Sequence, residues 1–160
     1  MSVAQSNARR TTGPAAQIDP RGPRLAATLT TVVLAVTLVT GSGWLLAAQA
    51  VLFGLGAVLG VQRTPYSVLF RRLVRPRLAP PTELEDARPP QFAQAVGLVF
   101  AAVGVLGALV GSTPLFLAAT GLALGAAFLN AAFGYCLGCE VYLIARRFLP
   151  AAHRIEEIPA

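Results

Sequence analysis

The sequence predicts an all-α membrane protein with four transmembrane helices, arranged as two hairpins with both termini in the cytoplasm. Three observations carry that prediction. Hydrophobic residues make up 55% of the 160-residue chain and charged residues only 12%, well below the ~25% charged of an average soluble domain. Nothing ionisable at neutral pH lies between Arg24 and Arg63 or between Arg88 and Glu140, and each gap is long enough for two spans of about 20 residues. The chain has no lysine, and its 13 arginines fall in three segments, Arg9 to Arg24, Arg63 to Arg88 and Arg146 to Arg154. Four spans place those three segments on one side, which the positive-inside rule makes cytoplasmic.

Residues 1–17 read as a flexible cytoplasmic tail, residues 18–149 as the membrane domain and residues 150–160 as a C-terminal cytoplasmic tail. No cleavable signal peptide is expected, because Ala48-Gln49-Ala50 lies inside an apolar run that continues through Val61. The prolines of Ile18-Asp19-Pro20-Arg21-Gly22-Pro23-Arg24 stiffen the approach to the first span. That span is expected from Leu25 to about Thr40, where Thr28, Thr30, Thr31 and Thr37 can return their hydroxyls to the helix's own carbonyls. Gly41-Ser42-Gly43 turns the chain, and the second span runs from Trp44 to Val61. The third is expected from Phe92 to Val110. After Gly111-Ser112-Thr113-Pro114, the fourth runs from Leu115 to about Tyr135.

The loop of residues 62–91 is more than a connector. Thr64-Pro65 has the form of a helix N-cap followed by a first-turn proline. Tyr66, Leu69, Phe70 and Leu73 then recur at helical spacing opposite Arg71, Arg72 and Arg75. This predicts an interfacial amphipathic helix whose arginines bind anionic membrane lipid; the alternative is a solvated cytosolic turn. Beyond Pro80-Pro81, Thr82-Glu83-Leu84-Glu85 has capping-box form, and Glu83, Glu85 and Asp86 are candidates for pairing with nearby arginines.

Inside the spans, Gly56-x-x-x-Gly60, Gly107-x-x-x-Gly111 and Gly121-x-x-x-Gly125 each place two small residues on one helix face, a pattern that lets helices approach closely. The shared orientation and Gly-Ser turn of the hairpins hint at a duplicated unit.

Several chemistries are excluded. His153 is the sole histidine, so there is no metal-ligand histidine cluster and no Ser/His/Asp set that it could serve, and no phosphate-cradling glycine loop with lysine is present. No charge is buried in a span, which argues against an ion pathway of the usual kind. The net charge of +6 is a topology signal; without an aromatic or glycine-rich recognition pattern, no nucleic-acid partner is expected.

What remains is Cys136 and Cys139, the only cysteines. At i, i+3 spacing on a helix their Cβ atoms come within roughly 5–6 Å, near enough for a disulfide or for one soft metal ion. Cys136 falls about 32 Å along the fourth span, against a hydrocarbon thickness of about 30 Å. The pair is therefore expected at the cytoplasmic edge, where a permanent disulfide is disfavoured. On an unbroken helix the negative dipole end and Glu140 would both oppose a thiolate. Asn130, Gly134 and Gly138 instead predict a break, with Cys136 opening a second helix that ends near Phe148. Cys136 is then the attacking thiol and Cys139 the resolving one.

The blocks Ile18 to Gly22, Arg75 to Pro81 with its continuation to Pro90, and Phe128 to Glu140 resemble the small bacterial membrane family called domain of unknown function 4395, over about Ile18 to Phe148. That resemblance implies a multi-pass protein of the bacterial plasma membrane bearing a Cys-x-x-Cys motif, in the functional company of thioredoxin-like proteins or sulfurtransferases. The sequence reading is thiol/disulfide or sulfur exchange through Cys136 and Cys139 with such a cytosolic partner, with no bound cofactor. Two alternatives stand beside it: Zn or Cu(I) held by both cysteines and completed by a second protomer of a homo-oligomer, and a membrane scaffold that presents the arginine loop.

Overall fold

A computed structural model describes residues 16–81 and 83–148 of the chain. Four long helices dominate: α1 (Arg21–Thr40), α2 (Gly43–Leu59), α4 (Arg88–Leu109) and α5 (Thr113–Phe133). Between α2 and α4 lies the short α3 (Pro65–Leu69), continued by a π turn over Phe70–Val74 and a 3-10 turn over Arg75–Arg77. A final helix, α6 (Leu137–Phe148), follows α5. Three of these helices, α1, α4 and α5, are long and apolar enough to cross a membrane, while α2 is apolar but only 17 residues long.

The helices start earlier than the hydropathy predicts. The Asp19 carboxylate accepts the Arg21 amide at 3.0 Å, so α1 begins at Arg21 and not at Leu25. The Asp86 carboxylate likewise accepts the Arg88 amide at 2.9 Å, and α4 begins there with Pro89 and Pro90 in its first turn, not at Phe92. Both short side chains satisfy backbone donors that a helix start otherwise leaves open. The capping box expected at Thr82 to Glu85 is not what starts α4. Thr82 lies outside the described residues, and Glu85–Asp86 forms a strand, β2, paired antiparallel with β1 (Gln17–Ile18). Backbone pairing across the molecule outweighs a local helix signal here, and Ile18, Val61 and Ala87 bury together under the ladder.

Turns fall where the glycines suggest. Gly41 (φ 64°) ends α1 and Gly111 (φ 72°) follows α4, and Ser42 caps α2 by accepting the Leu45 amide at 3.4 Å. The second helix stops at Leu59, short of the expected Val61, because Gly60 (φ 89°) leads into a 3-10 turn over Val61–Arg63. The last long helix runs Thr113–Phe133 against an expected Leu115 to Tyr135.

In the bundle α1 packs on α5, α5 on α4, α4 on α2, and α6 lies across α4. The core joins Leu34, Leu46, Phe53, Ala101, Phe116 and Ala123. Close approach depends on glycines, but not on the pairs the spacing suggests. A β-carbon at Gly104 would stand 2.6 Å from Leu46, and one at Gly97 2.8 Å from Phe53. Gly56 does meet Gln94 and Gly107 meets the Phe116 amide, whereas Gly60 and Gly111 serve turns, and Gly121 and Gly125 face open space. A same-face pattern identifies a stripe but not the neighbour that fills it.

The hydroxyls of Thr28, Thr31 and Thr37 return to the carbonyls four residues back, at 2.8–3.0 Å, as expected. Gln49, 1% exposed in α2, bonds Thr30 through its amide nitrogen, and its oxygen accepts the Tyr66 hydroxyl at 3.0 Å. The bundle's outer surface carries large apolar side chains, among them Val39, Val58, Leu109, Leu122 and Trp44, the last 88% exposed at the start of α2. An apolar surface this extensive is what a hydrocarbon solvent accommodates and water does not.

Candidate dithiol site

The site is made by the way α5 stops. Gly134 takes φ 70°, a left-handed conformation that costs a residue with a β-carbon roughly 1–2 kcal/mol, and the helix ends there. Three residues later α6 begins, and the Glu140 amide donates to the Cys136 carbonyl at 3.0 Å, the first bond of the new helix. Cys136 thus occupies the N-cap. Its sulfur accepts the backbone amide of Cys139 at 3.3 Å, taking the part that a serine or aspartate oxygen plays at other helix starts. The two sulfurs lie at disulfide distance, with a Cα–Cα separation of 5.2 Å.

The positive end of the 12-residue α6 meets the Cys136 sulfur, the pole of a helix at which negative charge is stabilised. Glu140 in the first turn opposes this. The neighbouring negative pole, the end of α5, is covered from a distance in sequence: Arg24 donates from Nε to the Ala131 carbonyl at 3.2 Å and from Nη2 to the Ala132 carbonyl at 3.1 Å. A cation at a helix C-terminus satisfies carbonyls that the helix cannot.

Both cysteines open on a groove of about 590 Å3 whose walls include Arg21, Arg24, Glu85, Asp86, Asn130 and Glu140. Those residues come from the start of α1, the strand β2 just before α4, the end of α5 and the start of α6. Behind the pair, Gly138 rests against Ala93 of α4, and the Tyr142 ring lies 5.7 Å from the Phe92 ring of α4, with the Arg146 guanidinium 5.9 Å from the Tyr142 ring. These contacts dock α6 on α4.

The arginines of the loop belong elsewhere. Arg71, Arg72 and Arg75 are exposed, and Arg71 and Arg75 border a pocket of about 310 Å3 with Ser67, Gln17 and Asp19; none of the three lines the groove at the cysteines. The apolar stripe expected opposite them is divided. Phe70 is buried against Gly22 and Tyr66 is half-buried on Gln49, while Leu69 and Leu73 stay exposed. The predicted Thr64 cap is present, its hydroxyl accepting the Ser67 amide at 3.3 Å. Glu85 and Asp86 are engaged by the ladder and the Arg88 amide. Among the described residues no group of three or more His, Cys, Asp or Glu side chains is placed to hold a metal ion, and His153 lies outside them.

Sequence reasoning reached the two cysteines and the helix break, but not the Arg24 cap, Asn130 in the groove wall or the Gly138–Ala93 contact. Only the basic character of Arg24 and the small size of Gly138 hinted at those roles.

No curated protein and no solved structure matches this chain. A family model does match, over residues 18–147, and its only description is a domain of unknown function. The chain therefore belongs to the DUF4395 family.

Proposed function

We propose that this is a four-span protein of the bacterial plasma membrane that exchanges disulfides, or sulfur, with a thioredoxin-like or sulfurtransferase partner in the cytoplasm. The observation that carries the reading is Cys136 at the N-cap of α6, its sulfur bonded to the Cys139 amide and open to a groove. In this reading α2 crosses the membrane as well, as the second of four spans. At about 25 Å it is short for a bilayer, and local thinning accommodates that mismatch at modest cost. The uncharged Gly41–Gly43 and Gly111–Thr113 turns face the periplasm, and the arginine-bearing ends face the cytoplasm. Arg71, Arg72 and Arg75 then stand at the headgroup boundary, where they hold anionic lipid.

The exchange balances within the two proteins. The Cys136 thiolate attacks one sulfur of a partner disulfide, forming a mixed disulfide and releasing the partner's other sulfur as a thiolate. Cys139, once deprotonated, then attacks the Cys136 sulfur, closing the Cys136–Cys139 bond and freeing the partner as a dithiol. Two electrons pass from the chain to the partner, and the reverse sequence uses the same mixed disulfide. The test is the Cys139→Ser variant, which should accumulate a reducible adduct through Cys136 with a cytosolic protein. Cys136→Ser should form none. Absence of any adduct, with Cys136 alkylated no faster than an ordinary thiol, would overturn the proposal.

A further inference from the structure

Cys136 borders two spaces of opposite character. One is the polar groove that it shares with Cys139. The other is an apolar cavity of about 400 Å3 on the bundle side, bounded by α1, α2, α4, α5 and the start of α6, to which Cys139 contributes nothing. Its inner wall includes Phe53 and Phe100, and the exposed Leu122 stands at its outer rim, about 16 Å along α5 from Phe133. Besides Cys136, the polar side chains of its lining are Thr30 and Gln94. Gln94 follows Ala93, the residue that Gly138 touches, and its amide rests against Gly56 of α2 in the cavity wall.

This arrangement separates a water-facing approach to the dithiol from a lipid-facing one. An apolar molecule dissolved in the bilayer can reach Cys136 without crossing the groove, and the Gln94 amide in the cavity wall offers a hydrogen bond to one polar end of it. A lipid acyl chain has the right body but no polar, reducible end. A ring that accepts two electrons and two protons and carries a hydrocarbon tail has both. We propose that the cavity binds a membrane quinone, which re-oxidises the Cys136–Cys139 dithiol left when the exchange runs in the reverse direction, from partner dithiol to chain. The inference rests on the exchange reading above and assigns the second half of its cycle.

The step balances as follows. Both S–H bonds break and one S–S bond forms between Cys136 and Cys139. The two electrons and two protons pass to the quinone, whose two carbonyl oxygens become the hydroxyls of a quinol. A cytosolic partner dithiol then reduces the disulfide through the mixed disulfide described above, and the pair returns to its starting state.

The full-length protein is reduced, freed of reductant and placed anaerobically in nanodiscs of saturated phosphatidylcholine that contain no quinone. A fully ring-substituted benzoquinone with a short alkyl tail is added, since full substitution blocks covalent addition of thiols. Expected is loss of two thiols per quinol formed, with the protein mass lower by two hydrogens. Ala126→Phe, which fills the cavity away from the cysteines, should slow this reaction roughly tenfold. Gln94→Leu, a second variant of similar bulk, should slow it as well. Both should react at the unaltered rate with a water-soluble aromatic disulfide, which reads the dithiol from the groove. If the quinone oxidises the wild type no faster than the quinone-free control, or both variants as fast as the wild type, the cavity holds acyl chain only and the inference falls. The exchange reading then stands, provided the soluble disulfide still reacts. Failure with the soluble disulfide as well overturns both.

Discussion

Gly138 and Ala93 meet so closely that a β-carbon on Gly138 would stand 2.6 Å from the Ala93 β-carbon and 2.7 Å from its α-carbon. The glycine between the cysteines is thus required by a neighbouring helix. Gly138→Ala should lift the start of α6 from α4 and destabilise the protein by about 1–3 kcal/mol, the usual cost of overpacking. Adding Ala93→Gly should recover part of the loss, because one of the two clashing atoms is removed. Thermal unfolding in detergent and the alkylation rate of Cys139 measure both effects; an unaltered Gly138→Ala protein would mean that α6 is not seated on α4.

Tyr66 gives a second prediction. Its hydroxyl donates to the buried Gln49 oxygen, and desolvation raises its pKa above the ordinary value of 10.0. Tyr66→Phe should cost about 1–3 kcal/mol by leaving that oxygen without its donor. The folded pKa lies above the unfolded one, so this contribution is fully present below about pH 10 and is lost as pH rises through the folded pKa. Absorbance titration of the three tyrosines should show one late transition that is missing from the Tyr66→Phe protein. Titration of Tyr66 at or below the ordinary value would refute it.

Topology is testable independently of any chemistry. Reporter fusions at Gly43 and Ser112 should read as periplasmic, and those at Pro80 and Ala160 as cytoplasmic. A cytoplasmic signal at Ser112 would move the cysteine pair to the opposite face and remove its cytosolic partner.

The loop arginines carry the last prediction. Replacing Arg71, Arg72 and Arg75 with glutamine should lower retention of anionic lipid by the purified protein, since each basic residue near such a surface contributes about 1 kcal/mol. Native mass spectrometry of lipids retained from a mixed bilayer reads this directly. Equal retention by the variant would reassign the loop to protein contacts.

Features governed by a few adjacent residues were legible in the sequence. Gly41, Gly111 and Gly134 end or follow their helices in the left-handed conformation, and Thr64 and Pro65 start α3, because each of those signals acts within one turn. The break that puts Cys136 at a helix start was legible for the same reason. Features set by distant chain were not. Arg24 finds carbonyls 107 and 108 residues away, and Glu85 answers to Ile18 across the ladder instead of to its own capping-box pattern. The apolar stripe of α3 was visible, but not that Gln49 and Gly22 would claim Tyr66 and Phe70 for the bundle.

The β1–β2 ladder joins the start of α1 to the start of α4, and α6 comes after both in the chain. The groove walls at Pro20 to Arg24 and at Glu85 to Pro90 are therefore tied to each other by the ladder and not through α6. That side of the groove is thus held by backbone pairing in which neither cysteine takes part, so Cys136→Ser or Cys139→Ser leaves it in place.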